Sequence, residues 1–303
     1  DIQSLPIRRI IAMGGGSVID IAKILCVKNA YPCRRVMEQQ IPMVLDKELI
    51  VLPTTCGTGS EVTFGGIVTM KDTGFKTGVL APELSSTHAV LVPELLSGLP
   101  LKVFLHCSVD ALGHAMESYV SATRGNEMVR AVGGRAIALL MDGYASLALE
   151  GPDSRAGLLK QFLTASCLAG MAVNNGGAGP VHALAYPLGE VYKMSHGESI
   201  YQFLTAVFTY YERTSDGPLL EELRQLLLPA LRRAGIYTGA PFSDLECLLN
   251  RLYPARRLRE CGMRETDIEP FVENIFQAKQ RLLAASYAPF TQKDAAAIYR
   301  QRL

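Results

Sequence analysis

The sequence predicts an α/β domain over residues 1–97, N-terminally incomplete, followed by an all-helical domain over residues 98–303. Short β-type runs up to Pro93 alternate with glycine-rich or polar loops, which is typical of α/β structure. Beyond Pro93 the apolar residues recur with the 3.6-residue period of amphipathic helices. A chain of 303 residues that is 49% hydrophobic is long enough for one large domain or two ordinary ones.

In the first region, the β-type runs predict strands at 8–13, 49–52, 66–70, 75–80 and 89–92. The first run ends in three glycines, and Ser17 then opens a helical stretch, so strand, turn and helix begin a βα unit. The second run ends at Pro53 and leads into the polar loop TTCGTGSE. The tetrapeptide KDTG between the third and fourth runs is typical of a hairpin turn.

In the second region, the periodicity predicts helices at 101–120, 126–149, 155–173, 181–192, 217–234, 242–252, 265–283 and 292–300. The chain starts at Asp1 rather than at a methionine, and few residues precede the first strand. We therefore expect that an N-terminal piece of the nucleotide-binding region precedes this sequence.

The bulk composition excludes several classes of protein. A net charge of +1 means that the chain has no large excess of basic residues of the kind that binds nucleic acid or an anionic membrane. Seven cysteines, odd in number and without a CxxC pair, favour free thiols in a reducing cytoplasm over a disulfide framework or a cysteine zinc site. No signal peptide and no apolar run of bilayer length is recognisable, so a cytoplasmic protein is expected.

Two loops suggest a phosphate-bearing ligand. GGGSVID at 14–20 lacks the GxGxxG spacing, but its glycines allow a close backbone approach, and the N–H groups that open the next helix attract an anion. A plain strand-to-helix turn capped by Ser17 explains this loop equally well. The second loop, PTTCGTGSEVT at 53–63, is rich in hydroxyl donors and also follows a strand. Two such loops at the ends of strands favour one shared ligand.

The second region carries a candidate metal site. Asp110 and His114 in VDALGHAMESY stand at i and i+4, so a helix directs both side chains to one face. His182 and His196 follow in VHALAYPLGEVYKMSHG. One carboxylate and three imidazoles suit iron(II), zinc or manganese. His106 shares the helix face and is a rival ligand; packing explains it as well, and a lone histidine is more often a core residue than a ligand.

In this order, GGGSVID, PTTCGTGSEVT, DALGHAMESYVS and HALAYPLG…HG resemble the iron-dependent (group III) alcohol dehydrogenases, over essentially the whole chain. The 4-hydroxybutyrate dehydrogenase branch is the most similar. The resemblance implies a dinucleotide-binding domain, a helical metal-binding domain and a cleft between them. It implies NAD or NADP as cofactor, with Fe(II) as the metal and Zn(II) as the alternative. The implied metal ligands are Asp110, His114, His182 and His196. The implied cofactor contacts are Gly15, Gly16, Ser17, Asp20, Thr54, Thr55, Thr58, Ser60, Thr63 and Lys76.

One motif position departs from the common family pattern. Many relatives have a second histidine four residues after the first, where this chain has Tyr186. Tyr186 is therefore the candidate that relays the hydroxyl proton, although filling space explains it as well. Lys193, between two predicted ligands, is the nearest candidate in sequence for binding a substrate carboxylate.

The implied reaction is hydride transfer between NAD(P) and a primary alcohol or aldehyde, with 4-hydroxybutyrate and succinic semialdehyde as the expected pair. A homodimer or larger homo-oligomer is expected. The alternatives are a family member acting on another small alcohol, a diol or phosphonoacetaldehyde; a lyase similar to dehydroquinate synthase; and a non-catalytic fragment. The lyase is disfavoured because its metal site resembles a Glu/His/His set.

Overall fold

The computed structural model describes residues 5–70 and 76–303, with Lys76 described by its backbone alone. The N-terminal part contains two sheets. A parallel sheet has the strand order β1-β2-β5, and β3 and β4 form a separate antiparallel pair. The strands are β1 (Arg9–Gly14), β2 (Glu48–Pro53), β3 (Gly65–Thr69), β4 (Lys76–Leu80) and β5 (His88–Ala89). The helices of this part are α1 (Gly16–Leu25) and α2 (Arg34–Met37).

The register of the parallel sheet brings the two predicted ligand loops together. Gly14 at the end of β1 pairs with Pro53 at the end of β2. The glycine loop and the threonine-rich loop therefore leave the same edge of the sheet, at the carboxyl ends of the strands, where open α/β sheets bind ligands.

The rest of the chain is helical, which confirms the predicted order of an α/β part followed by helices. Its helices are α3 (Leu101–Tyr119), α4 (Glu127–Glu150), α5 (Arg155–Gly176), α6 (Pro180–Val191), α7 (His196–Thr214), α8 (Pro218–Arg233), α9 (Pro241–Leu252), α10 (Ile268–Ala278), α11 (Gln280–Ala284) and α12 (Gln292–Arg302). The largest apolar core lies among these helices, whereas the N-terminal part has two small cores of its own. A domain boundary at residue 97 stays a prediction.

Several elements differ from the sequence expectations. Helix α7 was not predicted. Every residue from Glu198 to Phe208 is buried, including the polar residues Gln202 and Thr205, so the polar side chains of this segment do not mark a solvent-facing side. The predicted helix at 265–283 is broken at Lys279 into α10 and α11. The expected strand at 89–92 is only the two-residue β5, and the short α2 was not expected. The predicted turn at 71–74 lies outside the described residues.

The loop after β2 also contacts the helical part of the molecule. Gly59 has a φ of 60°, and a Cβ atom there would lie 2.3 Å from the Cα of Gly170 on α5. Only glycine allows this backbone-to-backbone approach in a left-handed conformation. The contact fixes the position of the threonine-rich loop against α5, which packs against α3, the helix that carries Asp110 and His114.

Two helices of the described chain are long and apolar enough to cross a membrane by length and composition alone: α4, and the stretch Pro152–Gly176 that contains α5. The sequence expectation that no stretch has bilayer length was therefore too strict. In the structure these helices pack in the helical core, where Ile137, Leu140 and Phe162 are fully buried. All seven cysteines are free thiols, as predicted.

Candidate metal centre

Four side chains from three helices converge on one point. Asp110 and His114 lie one turn apart on α3, His182 lies on α6, and His196 is the first residue of α7. The Asp110 Oδ1 atom is 3.7 Å from Nε2 of His114, 3.5 Å from Nε2 of His182 and 3.4 Å from Nε2 of His196. One ligand atom from each residue lies within 4.8 Å of all the others.

These residues fit a divalent cation. Ligands bound at about 2.0–2.1 Å to one tetrahedral ion lie roughly 3.4 Å apart, close to the separations seen from Asp110. Asp110 Oδ1 and His182 Nε2 are buried, and neither has a hydrogen-bond partner among the described atoms. Leaving such polar atoms unpaired costs about 1–3 kcal/mol each, a cost that a shared cation removes. The donor set of one carboxylate oxygen and three imidazole nitrogens suits iron(II) or zinc(II).

The charges of the cluster favour an ionised carboxylate. Burial alone would raise the pKa of Asp110, but the imidazoles of His114 and His196 hold it well below its usual range. Burial lowers the pKa of His114, against the neighbouring carboxylate of Asp110, which raises it. Burial also disfavours the charged form of His182, but Glu117 and Asp110 outweigh it and raise its pKa to about 9.

Glu117 contacts a candidate metal ligand, and the sequence reasoning did not single it out. Its Oε2 atom is 2.5 Å from Nδ1 of His182, and its Oε1 accepts a hydrogen bond of 2.6 Å from the backbone N–H of Val181. Glu117 is only 3% exposed. A carboxylate that binds the far nitrogen of an imidazole fixes the ring and its tautomer for metal binding. Glu117 is seven residues after Asp110 and three after His114, and this helical spacing in an apolar segment was the available signal.

The site opens to solvent at His196. The side chain of His196 is 35% exposed, whereas that of Asp110 is 3% exposed. A cavity of about 660 Å³ is lined by Asp110, His196 and Thr58 of the threonine-rich loop. Gly197 permits the local geometry, because a Cβ atom there would lie 2.1 Å from the carbonyl oxygen of His106. The cavity connects the candidate metal ligands to a predicted cofactor loop.

The other two histidines lie outside the cluster. The rival ligand His106 is buried, packs edge-on against Tyr201 and Tyr253, and places Nδ1 4.0 Å from Glu198. Burial lowers its pKa to about 4. His88 lies exposed on β5, with Nε2 3.2 Å from Glu48.

The glycine loop and the threonine-rich loop adjoin one another. The backbone N–H of Thr54 donates to the carbonyl oxygen of Gly14 over 3.0 Å. A Cβ atom on Gly15 would lie 3.3 Å from the side chain of Thr55, and one on Gly16 would lie 2.9 Å from that of Thr58. The predicted contacts that are at least partly exposed along these loops are Gly15, Gly16, Ser17, Thr54, Thr55, Thr58 and Thr63.

Asp20 and Ser60 are buried and bond to each other within the protein. The Ser60 hydroxyl donates to Asp20 Oδ1, and the backbone N–H of Ile67 donates to Asp20 Oδ2 over 3.1 Å. Burial raises the pKa of Asp20. The pair connects α1 to the threonine-rich loop. The side chain of Lys76 lies outside the described part of the chain.

Lys23 is a second residue that the sequence reasoning did not single out. Its side chain is fully buried, with Nζ 3.6 Å from Asp20 Oδ1. The ammonium donates to Thr63 Oγ1 over 3.1 Å and to the carbonyl oxygen of Gly65 over 2.8 Å. Burial lowers the pKa of Lys23 to about 8. The signal in the sequence was its i+3 spacing from Asp20 on the inner face of α1.

Tyr186 lies beside the candidate metal ligands. Its ring centroid is 6.5 Å from that of His196, and burial raises the pKa of its hydroxyl. The ammonium of Lys279 lies over the Tyr186 ring, 3.9 Å from the centroid. Lys193, the sequence candidate for a substrate carboxylate, lines the cavity but is exposed, and it donates to the carbonyl oxygen of Glu190 over 2.8 Å.

Comparisons with known proteins cover nearly the whole chain. Residues 2–93 match the family model described as iron-containing alcohol dehydrogenase, and residues 104–303 match that of the C-terminal part of the Fe-containing alcohol dehydrogenase family. The chain is 42% identical to 4-hydroxybutyrate dehydrogenase of Clostridium kluyveri, over 99% of this chain and 80% of that protein. It is 30% identical to long-chain-alcohol dehydrogenase 1 of Geobacillus thermodenitrificans, over 96% of this chain and 73% of that protein. A crystal structure of 1,3-propanediol oxidoreductase superposes with a TM-score of 0.82 at 26% identity, over 97% of this chain and 77% of that one.

Proposed function

Because the chain belongs to the iron-containing alcohol dehydrogenase family, we propose that it interconverts 4-hydroxybutyrate and succinic semialdehyde with NAD or NADP. Family membership makes the protein an oxidoreductase of alcohols or aldehydes. The substrate pair is supported by 42% identity to a 4-hydroxybutyrate dehydrogenase, against 30% to a long-chain-alcohol dehydrogenase. The observation that carries the reaction class is the convergence of Asp110 and three imidazoles beside a cavity that reaches Thr58.

Asp110, His114, His182 and His196 are proposed to hold one divalent cation, iron(II) with zinc(II) as the alternative. When bound, the ion supplies Lewis-acid polarisation of the hydroxyl or carbonyl oxygen of the substrate. A single carboxylate among the ligands leaves net positive charge for that purpose. Glu117 orients His182, and the exposed edge of His196 marks the side from which the substrate enters.

Gly15, Gly16 and Ser17 are proposed to receive the pyrophosphate of the dinucleotide at the start of α1. Backbone N–H groups and the helix dipole favour an anion at that position. Thr54, Thr55 and Thr58 present hydroxyl groups beside it. The dinucleotide supplies the hydride chemistry, and the protein aligns the nicotinamide with the carbinol carbon.

Hydrogen bonds within the protein engage Asp20, Ser60 and Thr63. These bonds are proposed to support the cofactor loops by holding them against α1. Lys76 stays a predicted cofactor contact. The Tyr186 hydroxyl is proposed to relay the hydroxyl proton of the alcohol. During oxidation the phenol oxygen takes up that proton as its own O–H proton passes to solvent, and during reduction the two transfers run in reverse. Its place beside His196 supports that role.

Metal analysis and a substrate panel test the proposal. Holoenzyme purified without air is expected to contain stoichiometric metal. It is expected to reduce NAD or NADP with a higher kcat/KM for 4-hydroxybutyrate than for 1-butanol, 1-propanol or 1,4-butanediol. His196→Ala is expected to lose the metal on dialysis, and a fully loaded and fully active His196→Ala enzyme contradicts the ligand set. Preference for 1-butanol indicates another dehydrogenase of the family, and absence of net NADH or NADPH formation overturns the reaction.

A further inference from the structure

A break between two helices places an ammonium group beside the candidate site. Helix α10 ends at Ala278 and α11 begins at Gln280, and Lys279 between them has a φ of −116° and a ψ of 28°. Its Nζ lies 3.9 Å from the centroid of the Tyr186 ring on α6. The side chain therefore extends toward α6, on which the candidate metal ligand His182 lies.

The charge of Lys279 is not neutralised within the described part of the chain. The ammonium contacts the π face of Tyr186, and no carboxylate lies within 4 Å of Nζ among these residues. Two of the three cations that line the cavity differ in this respect, whereas the third, Lys193, is exposed and donates to the carbonyl oxygen of Glu190. Lys102 is 3.5 Å from Glu198, and Arg256 forms charged hydrogen bonds to the same carboxylate.

The distances suit a short hydroxy acid. Lys279 is 3.9 Å from the Tyr186 centroid, and that centroid is 6.5 Å from the His196 ring, so the ammonium is no more than about 10.4 Å from the imidazole. An extended chain spans roughly 3.6 Å for every three bonds. Five bonds separate the hydroxyl oxygen from a carboxylate oxygen in a four-carbon ω-hydroxy acid, so these oxygens are about 6 Å apart. A hydrogen bond from the ammonium to the carboxylate and coordination of the hydroxyl at the metal centre account for the rest of the distance between Lys279 and His196.

We propose that Lys279 binds the distal carboxylate of an ω-hydroxy acid whose hydroxyl is at the metal centre. The inference rests on the proposed function and adds the group that selects a carboxylate substrate over a simple alcohol. Arg281, two residues further on, adds positive charge that also acts on Tyr186. The Tyr186 ring holds the ammonium by a cation–π contact, which leaves the N–H donors of Lys279 that point away from the ring available to a carboxylate.

Substitutions at Lys279 test the proposal in the holoenzyme. Lys279→Met is expected to raise KM for 4-hydroxybutyrate about 10- to 100-fold, as for the loss of a charged hydrogen bond, and to change KM for 1-butanol less than about twofold. Lys279→Arg, which keeps the cation, is expected to recover much of the loss. Lys293→Met on α12 removes an exposed ammonium and serves as the matched control.

Butyrate provides a readout that does not depend on turnover. It carries the carboxylate without the hydroxyl, and its dissociation constant is measured by calorimetry on metal-loaded and metal-free protein. Lys279→Met is expected to weaken butyrate binding about 10-fold or more in both forms. Lys279→Arg is expected to keep the wild-type melting temperature.

The outcomes separate this inference from the proposed function. A wild-type enzyme without preference for 4-hydroxybutyrate over 1-butanol overturns the substrate assignment itself. A wild-type preference that persists in Lys279→Met overturns only the role of Lys279. Lys279→Met could instead change KM equally for both substrates, or lower only kcat and thermal stability. Either result shows that Lys279 merely packs against Tyr186, and it overturns the carboxylate-binding role. A selective KM increase in Lys193→Met assigns the carboxylate to Lys193 instead.

Discussion

Glu117 Oε2 lies 2.5 Å from Nδ1 of His182, while the opposite nitrogen of the same ring lies 3.5 Å from Asp110 Oδ1. The carboxylate accepts a hydrogen bond, so in the neutral form of the imidazole, which is the form that binds a metal, the proton is on Nδ1 and the lone pair of Nε2 faces Asp110. The backbone N–H of Val181 binds the second oxygen of Glu117 and prevents the carboxylate from rotating. The tautomer of a candidate metal ligand is thus set from α3 by a residue that is not itself a ligand.

We expect Glu117→Gln to weaken metal binding about 10- to 100-fold, the usual effect of losing the group that supports a metal-bound histidine. The amide keeps the shape of the side chain but loses its charge, and only one of its two ends can accept a hydrogen bond. The affinity is measured by competition with a chelator, with zinc(II) as the probe.

Glu150→Gln, which alters an exposed carboxylate at the end of α4, is the matched control. It is expected to bind zinc(II) like the wild type. Equal affinities for wild type and Glu117→Gln, both folded to the same melting temperature, contradict the role assigned to Glu117.

We expect Gly16→Ala to raise the dissociation constant for the dinucleotide about 10-fold while the chain remains folded, since overpacking costs roughly 1–3 kcal/mol. The new Cβ atom would lie 2.9 Å from the side chain of Thr58, so this side chain of the threonine-rich loop must move away from the glycine loop. Fluorescence titration with NADH and with NADPH measures the change.

Gly98→Ala is the control for this substitution, because a Cβ atom at Gly98 meets nothing within 4 Å. Its cofactor affinity is expected to match that of the wild type. If Gly16→Ala binds both dinucleotides as tightly as Gly98→Ala, the glycine loop is not the pyrophosphate site.

The parts of the site that follow from local spacing were predictable. The i and i+4 spacing of Asp110 and His114 needs only a helix to bring both side chains to one face, and α3 provides it. The strand-end loops needed only the parallel pairing of β1 and β2. Both predictions depend on short-range geometry that a sequence displays directly.

The parts that depend on burial were not predictable in the same way. Helix α7 buries polar residues such as Gln202 and Thr205 together with its apolar ones, so its sequence does not show the solvated polar face by which a surface helix is recognised. Glu117 and Lys23 are charged residues on helices, and such residues are normally solvated. Their importance follows from partners far along the chain, such as Val181 and Gly65. Only the packed fold shows which charges are enclosed.

We expect Tyr186→Phe to lower kcat for alcohol oxidation about 100-fold without changing metal content, as for the loss of a proton-transfer group. The phenyl ring preserves the contact with Lys279, so KM for 4-hydroxybutyrate should change little. Stopped-flow measurement of NADH formation across a pH series gives kcat, and Tyr237→Phe, which alters an exposed tyrosine, is the control. A kcat within twofold of wild type means that Tyr186 only fills space.

Lys23→Met is expected to abolish a rise in stability at alkaline pH. Burial lowers the pKa of Lys23 from 10.5 to about 8, so between these values the unfolded chain holds a proton that the folded chain lacks. The unfolded state then binds more protons, and the free energy of unfolding increases with pH, by about 3 kcal/mol over the whole window. Urea unfolding from pH 8 to pH 10.5 measures the difference between wild type and variant.

The comparison isolates one ammonium group, because the titrating tyrosines and cysteines are common to both proteins and cancel in the difference. Lys28→Met removes an exposed lysine near the end of α1 and is expected to keep the wild-type slope. Parallel pH profiles for wild type and Lys23→Met would mean that Lys23 is solvated rather than enclosed. Its hydrogen bonds to Thr63 and Gly65 would then not join α1 to the threonine-rich loop, and the support proposed for the cofactor loops would rest on Asp20 and Ser60 alone.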